Sequence, residues 1–413
     1  MVRRLAVSMI ALSPMAAAQW PQWRGPTRDG AAPTRTQARP WPSQLSKLWE
    51  RDVGHGHSGP IADSSRVWVH TRNGANETVA CLRLDTGARL WSASYPAPFE
   101  QDSSAAAHGC GPFSTPAFSG NRLFTISVDG VLSAWDADSG RFLWRRASGG
   151  EFGAAYPYFG AAASPLVWRD LVFTHIGGHR RGKMETPGAG AFVALRVSDG
   201  REQWRWAHDG PAMGASPVLC EIQGRTQLIF KSKKNMAGLD PATGRELWRI
   251  PYQVAMDNTI ATPLCIADRV ITSDYDAGLM SWRVERTGQT WTARPSWRHR
   301  DASLFMNSPV LAAGFVAGFS HFRKGQLFLL NPHDGKIVWR GDGRSGEHAS
   351  LISRGSELLV FLDDGTLLAG VIEREAFRMT RRYRLGEANT YAHPALAGDL
   401  LLYKTGSRLA AWR

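Results

Sequence analysis

Apolar and polar positions alternate along most of the chain in short runs of roughly five residues, the period of a half-buried strand. Gly, Asn, Asp and Ser interrupt these runs at close intervals. Residues 114–144 show the pattern at its clearest. Pro116 opens an apolar run that Gly120 and Asn121 turn. Arg122 to Val128 forms the next run, Asp129-Gly130 reads as a hairpin turn, and Val131 to Ala137 is the third run. Ser139-Gly140 turns the chain again, because Gly accepts the positive φ that a tight turn needs. Arg141 to Arg145 is the fourth run and carries Trp144.

This four-strand phrase recurs. Its ending reads Cys81-Leu-Arg-Leu-Asp-Thr-Gly-Ala-Arg-Leu-Trp91, then Ala134-Trp-Asp-Ala-Asp-Ser-Gly-Arg-Phe-Leu-Trp144, then Ala194-Leu-Arg-Val-Ser-Asp-Gly-Arg-Glu-Gln-Trp204. Gly238 to Trp248 and Leu329 to Trp339 repeat it, with Gly four residues before Trp each time. A sixth copy, Ser281 to Trp291, is one residue shorter between Gly288 and Trp291. A seventh, near Ala369 to Phe377, lacks both Gly and Trp. A second marker precedes the copies: a small residue and then Pro, at Pro60, Pro116, Pro165, Pro217, Pro263, Pro309 and Pro394, with Ala349-Ser350 in the equivalent place. Pro60 to Pro394 spans 334 residues in seven intervals, about 48 per unit. Four strands at that period predict a β-propeller blade. The last unit has strands at 399–404 and 407–412 and no fourth, whereas Leu45-Ser-Lys-Leu-Trp49 ends like a fourth strand with no blade before it. The pattern therefore predicts an all-β fold: an eight-bladed propeller of four-stranded antiparallel blades, closed by pairing 45–49 with 407–412. Closure removes both open edges, and the chain is expected to be a monomer.

The phrase Ala-x-Asp-x-x-x-Gly-x-x-x-Trp resembles the repeat of the pyrroloquinoline-quinone-like (PQQ-like) propeller family, and the likeness covers nearly all of the chain after residue 18. The opening Trp20-Pro-Gln-Trp-Arg-Gly-Pro-Thr-Arg-Asp-Gly30 is similar to the start of secreted bacterial members. The resemblance implies two branches. One holds quinoprotein dehydrogenases, which oxidise alcohols or sugars with PQQ and calcium. The other holds non-enzymatic scaffolds similar to the assembly factor BamB, which bind partner proteins. The enzymes of the first branch carry adjacent cysteines beside the quinone. This chain has none, and no C-x-x-C-H for an attached haem. Asp257, Asn258 and Asn307 are candidate calcium ligands, since oxygen donors suit that ion. The second branch carries a lipid anchor, and no Cys follows the apolar run here.

Composition narrows the reading. Of 413 residues, 43% are apolar and 21% charged, which excludes wholesale disorder. No apolar run reaches the roughly 18 residues of a membrane helix. The net charge is +13, but 8 of the 49 basic residues are Lys, leaving 41 Arg, and they are scattered. A nucleic-acid binder gathers its cations on one element, so nucleic acid is not an expected partner. Met1 to Ala18 has basic Arg3-Arg4, an apolar run and a small-residue end, which reads as a signal peptide cleaved near Ala18. Residues 19–413 then form one propeller domain in the periplasm or outside the cell. Cys81, Cys110, Cys220 and Cys265 are widely spaced. One or two disulfides and isolated buried thiols fit equally.

In a propeller, the loops between blades open at one end of the central channel, and here they precede the Pro markers. They carry His55, His57, His108, Tyr156, Tyr158, Asp257, Asn258, Asn307, His348 and His393. Loops from separate blades converge into pockets that no single stretch encodes. The tyrosines suit stacking, and the imidazoles suit metal binding or acid–base work. His55 and His57 alternate with Gly, so in an extended stretch both point one way. His179, Arg180, Arg181 and Lys183 gather in a second loop, 177–190, which suits an anion or plain solvent. The expected function is a binding or scaffold module for a protein or small ligand at the channel mouth, with a quinone-dependent oxidoreductase as the alternative.

Overall fold

The computed structural model describes residues 19–33, 41–101, 106, 108–147, 149–152, 159–178, 189–209, 214–252, 260–386 and 390–413. Thirty-two strands among them form eight four-stranded antiparallel sheets. Seven sheets take their strands in chain order. The eighth joins Ala395–Ala397, Leu400–Thr405 and Arg408–Trp412 to Lys47–Asp52 near the start of the chain. Trp49 lies opposite Ala411 and Asp52 opposite Arg408, so the expected closure forms and runs three residues past the predicted segment. Counting from the sheet that begins at Ile61, this closing sheet is blade eight.

Burial follows position within each blade. In blade one, the second strand (Arg66–Asn73) is buried from Val67 to Arg72, while the fourth (Arg89–Pro96) alternates between exposed and half-buried residues. The first strands therefore line the channel and the fourth strands form the outer wall. The core lies between blades. Phe124, Ile126, Leu132 and Trp144 of blade two pack against Val172, Ile176, Val193 and Leu195 of blade three.

The repeated Gly and Trp are one contact seen from two sides. The Trp144 indole N–H donates to the Val197 carbonyl of the next blade at 3.1 Å. Trp49, Trp91 and Trp204 make the same bond to Leu84, Ala137 and Pro241. The ring lies on the turn glycine of that next blade. A Cβ at Gly140 would come within 2.4 Å of Trp91, and one at Gly200 within 2.6 Å of Trp144. Glycine is required twice over, because both positions also have φ near +70°.

Blade five departs from the expected sixth copy. Its third and fourth strands, Gly278–Thr287 and Thr290–His299, extend to ten residues each, with Gly288 in the hairpin turn. The docking tryptophan is Trp297, opposite Ser281, and not Trp291. Trp297 donates to Pro332 O and covers Gly335. The longer hairpin carries Trp291 into the core shared with Trp248 of blade four. Trp248, with no turn glycine to dock on, donates to Gln227 of its own blade at 2.7 Å.

Cys220 and Cys265 form a disulfide between the first strands of blades four and five. Cys81 is a buried free thiol and Cys110 an exposed one.

Candidate functional site

The small residue before each Pro does specific work. The Gly59 N–H donates to the Thr115 hydroxyl at 3.0 Å, Thr115 N–H to Ser164, Ser164 N–H to Ser216, and Thr262 N–H to Ser308, the last three each at 2.9 Å. A belt of hydroxyl bonds thus links blades one to four in turn, and blade five to blade six. Side-chain size is limited there: a Cβ at Gly59 would sit 2.7 Å from the His393 carbonyl.

The channel inside this belt is filled by the chain's own Trp20–Ala32. Trp20 bridges to Ala62 of blade one, and Phe118 N–H of blade two donates to Pro21 O at 2.8 Å. The Arg28 guanidinium donates to Ser164 O and Pro165 O of blade three at 2.9 and 2.7 Å. Trp23 donates to Thr262 of blade five and Arg24 to Pro309 O of blade six. Ala31 pairs in parallel with Ser353 of blade seven, and Trp20 and Trp23 pack on His393 at the start of blade eight. Only a segment lying across the axis can touch seven blades. Trp20, Arg24 and Arg28 are each 1% exposed. Burial lowers the Arg24 pKa to about 10, against the pull of Asp29. Burial and then Arg24 lower that of Arg28 to about 9. Neutral carbonyls, not carboxylates, hold both charges, a task suited to the guanidinium fork.

Above this floor, the rim loops gather around Tyr391. Its ring lies 5.0 Å from His57, 5.6 Å from His108 and 5.1 Å from His348. Phe113 stacks on His57 at 6.0 Å and Phe159 meets His108 edge-on at 5.9 Å. Tyr391 N–H donates to His57 Nδ1 at 3.3 Å, which places the proton of the neutral ring on Nε2. Burial, followed by the Lys404 charge, holds the His57 pKa down at about 4. His348 is 4% exposed and neither ring nitrogen has a partner; burial, then His393 and His57, lowers its pKa to about 3. His393 donates from Nδ1 to Pro394 O at 2.8 Å, and burial followed by Arg24 lowers its pKa to about 3. Burial lowers the Lys404 pKa to about 8, opposed by Asp52, while its ammonium donates to the Gly56 and Gly406 carbonyls.

Of the sequence candidates, His57, His108 and His348 meet at one place, and His393 packs on Trp20 and Trp23 of the floor. His55 does not join them. Its backbone pairs with Arg72, its side chain is exposed, and φ values of +100° at Gly54 and +112° at Gly56 break the extended run that would have aligned it with His57. Asn307 donates its side-chain N–H groups to Phe305 O and Phe319 O at 2.8 and 3.0 Å, and its Oδ1 is buried with no partner. Tyr156, Tyr158, Asp257 and Asn258, the leader 1–18 and His179, Arg180, Arg181 and Lys183 lie outside the described residues. The expectations missed Arg24, Arg28 and Lys404. The two arginines stand in the quoted opening phrase, but nothing in their spacing points to carbonyls 136 and 285 positions away.

A quinone on the axis would meet the chain's own Trp20–Ala32. Of the calcium candidates only Asn307 is among the described residues; its side-chain N–H groups are taken by backbone carbonyls, while its Oδ1 is buried with no partner. Among the described residues no three His, Cys, Asp or Glu side chains come together in a way that could hold a metal ion. The axis beneath the rim is taken by Trp20, Trp23 and the two arginines.

A family model described as outer membrane protein assembly factor BamB, a PQQ-like repeat model, matches residues 75–341, more than half of the chain. The chain belongs to this family. It is 23% identical to the outer membrane protein assembly factor BamB of Burkholderia pseudomallei over 365 residues, covering 78% of this chain and 86% of that protein. It is 24% identical to a tetrathionate hydrolase of Acidithiobacillus ferrooxidans over 319 residues, covering 75% of this chain and about half (52%) of that one. Among solved structures, BamB from Moraxella catarrhalis superposes with a TM-score of 0.61 at 16% identity, covering 90% of this chain and 98% of that one. Quinohemoprotein alcohol dehydrogenase from Comamonas testosteroni superposes with a TM-score of 0.69 at 13% identity, covering 96% and 80%. At these identities the structural likeness shows the propeller alone. Among the described residues, no helix is long and apolar enough to cross a membrane.

Proposed function

We propose that this protein is an exported binding or scaffold propeller that engages a protein partner or small ligand on the rim face, through the surface around Tyr391. The observation that carries this reading is the filled channel: Trp20–Ala32 closes the axis, so recognition is left to the rim loops. Around Tyr391 the described residues offer rings for stacking and, in His57 and His348, imidazoles that burial keeps neutral. Membership of a family described as an assembly factor supports the same reading. Fold alone supports neither branch, since propellers host unrelated functions. Export follows from the Met1–Ala18 leader, with residues 19–413 as the single mature domain and monomer. The test is binding of a selected peptide or glycan ligand to wild type and to Tyr391→Ala. The variant should bind at least fivefold more weakly at unchanged Tm, about the worth of one stacked ring. A ligand protected by the outer strands instead, with Tyr391→Ala binding normally, overturns the assignment.

A further inference from the structure

A second group of rings lies on the rim face over blades five and six. Tyr275 stands in the turn after Arg269–Asp274, Phe305 in the loop leading to Val310–Ala312, and His321 and Phe322 in the turn before Gln326–Leu330. In an antiparallel blade, the turn from second to third strand and the approach to the first strand share one end, so all three loops lie on one face. Tyr275 stacks on His321 at 4.8 Å. Phe305 meets Tyr275 edge-on at 5.0 Å and Phe322 meets His321 at 4.7 Å. The His321 ring is pinned, with Nδ1 3.0 Å from Ser303 O and Nε2 3.1 Å from Asp276. All four rings are half-buried.

Cations flank them. Arg323, Lys324 and Arg344 are exposed, and none makes an ion pair among the described residues. The two arginine loops are tied by Arg344 N–H donating to Arg323 O at 2.9 Å. Arg340 lies close enough that, after burial, the Arg323 charge depresses its pKa, with Asp301 opposing. The like charges are thus gathered, and Arg323, Lys324 and Arg344 are unpaired among the described residues. Met306, Arg323, Lys324 and Arg344 also hold φ between +55° and +64°, a conformation that non-glycine residues keep only where the surroundings impose it.

We propose that this face is a docking surface for an acidic stretch of a partner polypeptide carrying an aromatic or aliphatic anchor. Tyr, Phe, Met and Arg are the residue types enriched at such interfaces, and the unpaired cations select acidic sequence. Asp276, Asp342 and Glu347 stand among the cations. A phosphate ladder or a plane of anionic headgroups would meet them too, whereas a peptide can place its acids selectively. The inference rests on the reading of the protein as a binding module and extends it to surface away from Tyr391.

The test uses the full chain and a displayed random-peptide library. Selected peptides should combine Asp or Glu with Phe, Tyr or Leu. The strongest, fluorescently labelled, should bind at least tenfold more weakly to Arg323→Glu/Lys324→Glu, whose Tm should match wild type because both side chains are exposed, and should bind Tyr391→Ala normally. Failure to enrich such peptides, or undiminished binding by the double variant, overturns the proposal. So does equal binding of anionic phospholipid vesicles or single-stranded DNA with the same dependence. Binding lost in Tyr391→Ala but kept in the double variant overturns this surface while leaving the rim reading intact.

Discussion

The imidazoles of the rim and the turn glycines each set a property that one substitution can read. His348 and His393 are held at about pKa 3 and His57 at about 4, below the ordinary 6.5, chiefly by burial. A lowered histidine pKa means the unfolded chain takes up protons first, so stability is complete above about pH 6.5 and falls as pH drops through the window towards 3–4. Each such group weakens the fold by about 1.4 kcal/mol per pH unit inside that window. His348→Leu should therefore flatten the decline of urea-unfolding stability between pH 6.5 and 4.5, and a slope identical to wild type would contradict the assignment. The glycines give a paired test. Gly140→Ala drives a Cβ into Trp91 and should cost about 2–3 kcal/mol, combining overpacking with left-handed strain. Gly120→Ala, with φ +61° and open space around it, should cost only about 1 kcal/mol. Equal costs would mean that docking of Trp91 on Gly140 contributes nothing.

Among the elements, the closing strand was legible and the channel plug was not. Lys47–Asp52 repeats the fourth-strand ending of blades one to four and six, so its missing partner could be inferred by counting strands. Trp20–Ala32 repeats nothing, and its bonds to carbonyls depend on where the ring brings distant residues. The docking tryptophan of blade five was misread for a related reason: extending the hairpin to Thr287 and Thr290 moves Trp297 into register without leaving a spacing signal. The plug makes a prediction. Arg28→Met would leave Ser164 O and Pro165 O without donors in a buried site, costing about 2–4 kcal/mol in urea unfolding. Arg28→Lys should fall between, since an ammonium cannot span two carbonyls as the fork does. A neutral Arg28→Met would show that the segment merely rests in the channel.

For the whole molecule, repetition is what the sequence displays and convergence is what it hides. Eight markers and a recurring Gly–Trp pair follow from packing that is nearly the same at each blade, so the ring was readable. The site is made of single residues that differ from blade to blade, so His57 and His55 looked alike until the turns at Gly54 and Gly56 parted them. The thiols behave likewise: Cys220 and Cys265 are 45 residues apart in sequence, yet they lie on neighbouring first strands. Native protein should label at one thiol, Cys110, and unfolded unreduced protein at two, the second being Cys81. Labelling of four would deny the disulfide. The central claim is that the rim is a binding face over a channel closed by the protein's own Trp20–Ala32. It is tested most directly by titrating the purified full chain with pyrroloquinoline quinone and calcium while following quinone absorbance and dye reduction with an alcohol or sugar. No stoichiometric uptake and no reduction above the protein-free control are expected. One quinone bound per chain with substrate-dependent dye reduction would contradict it.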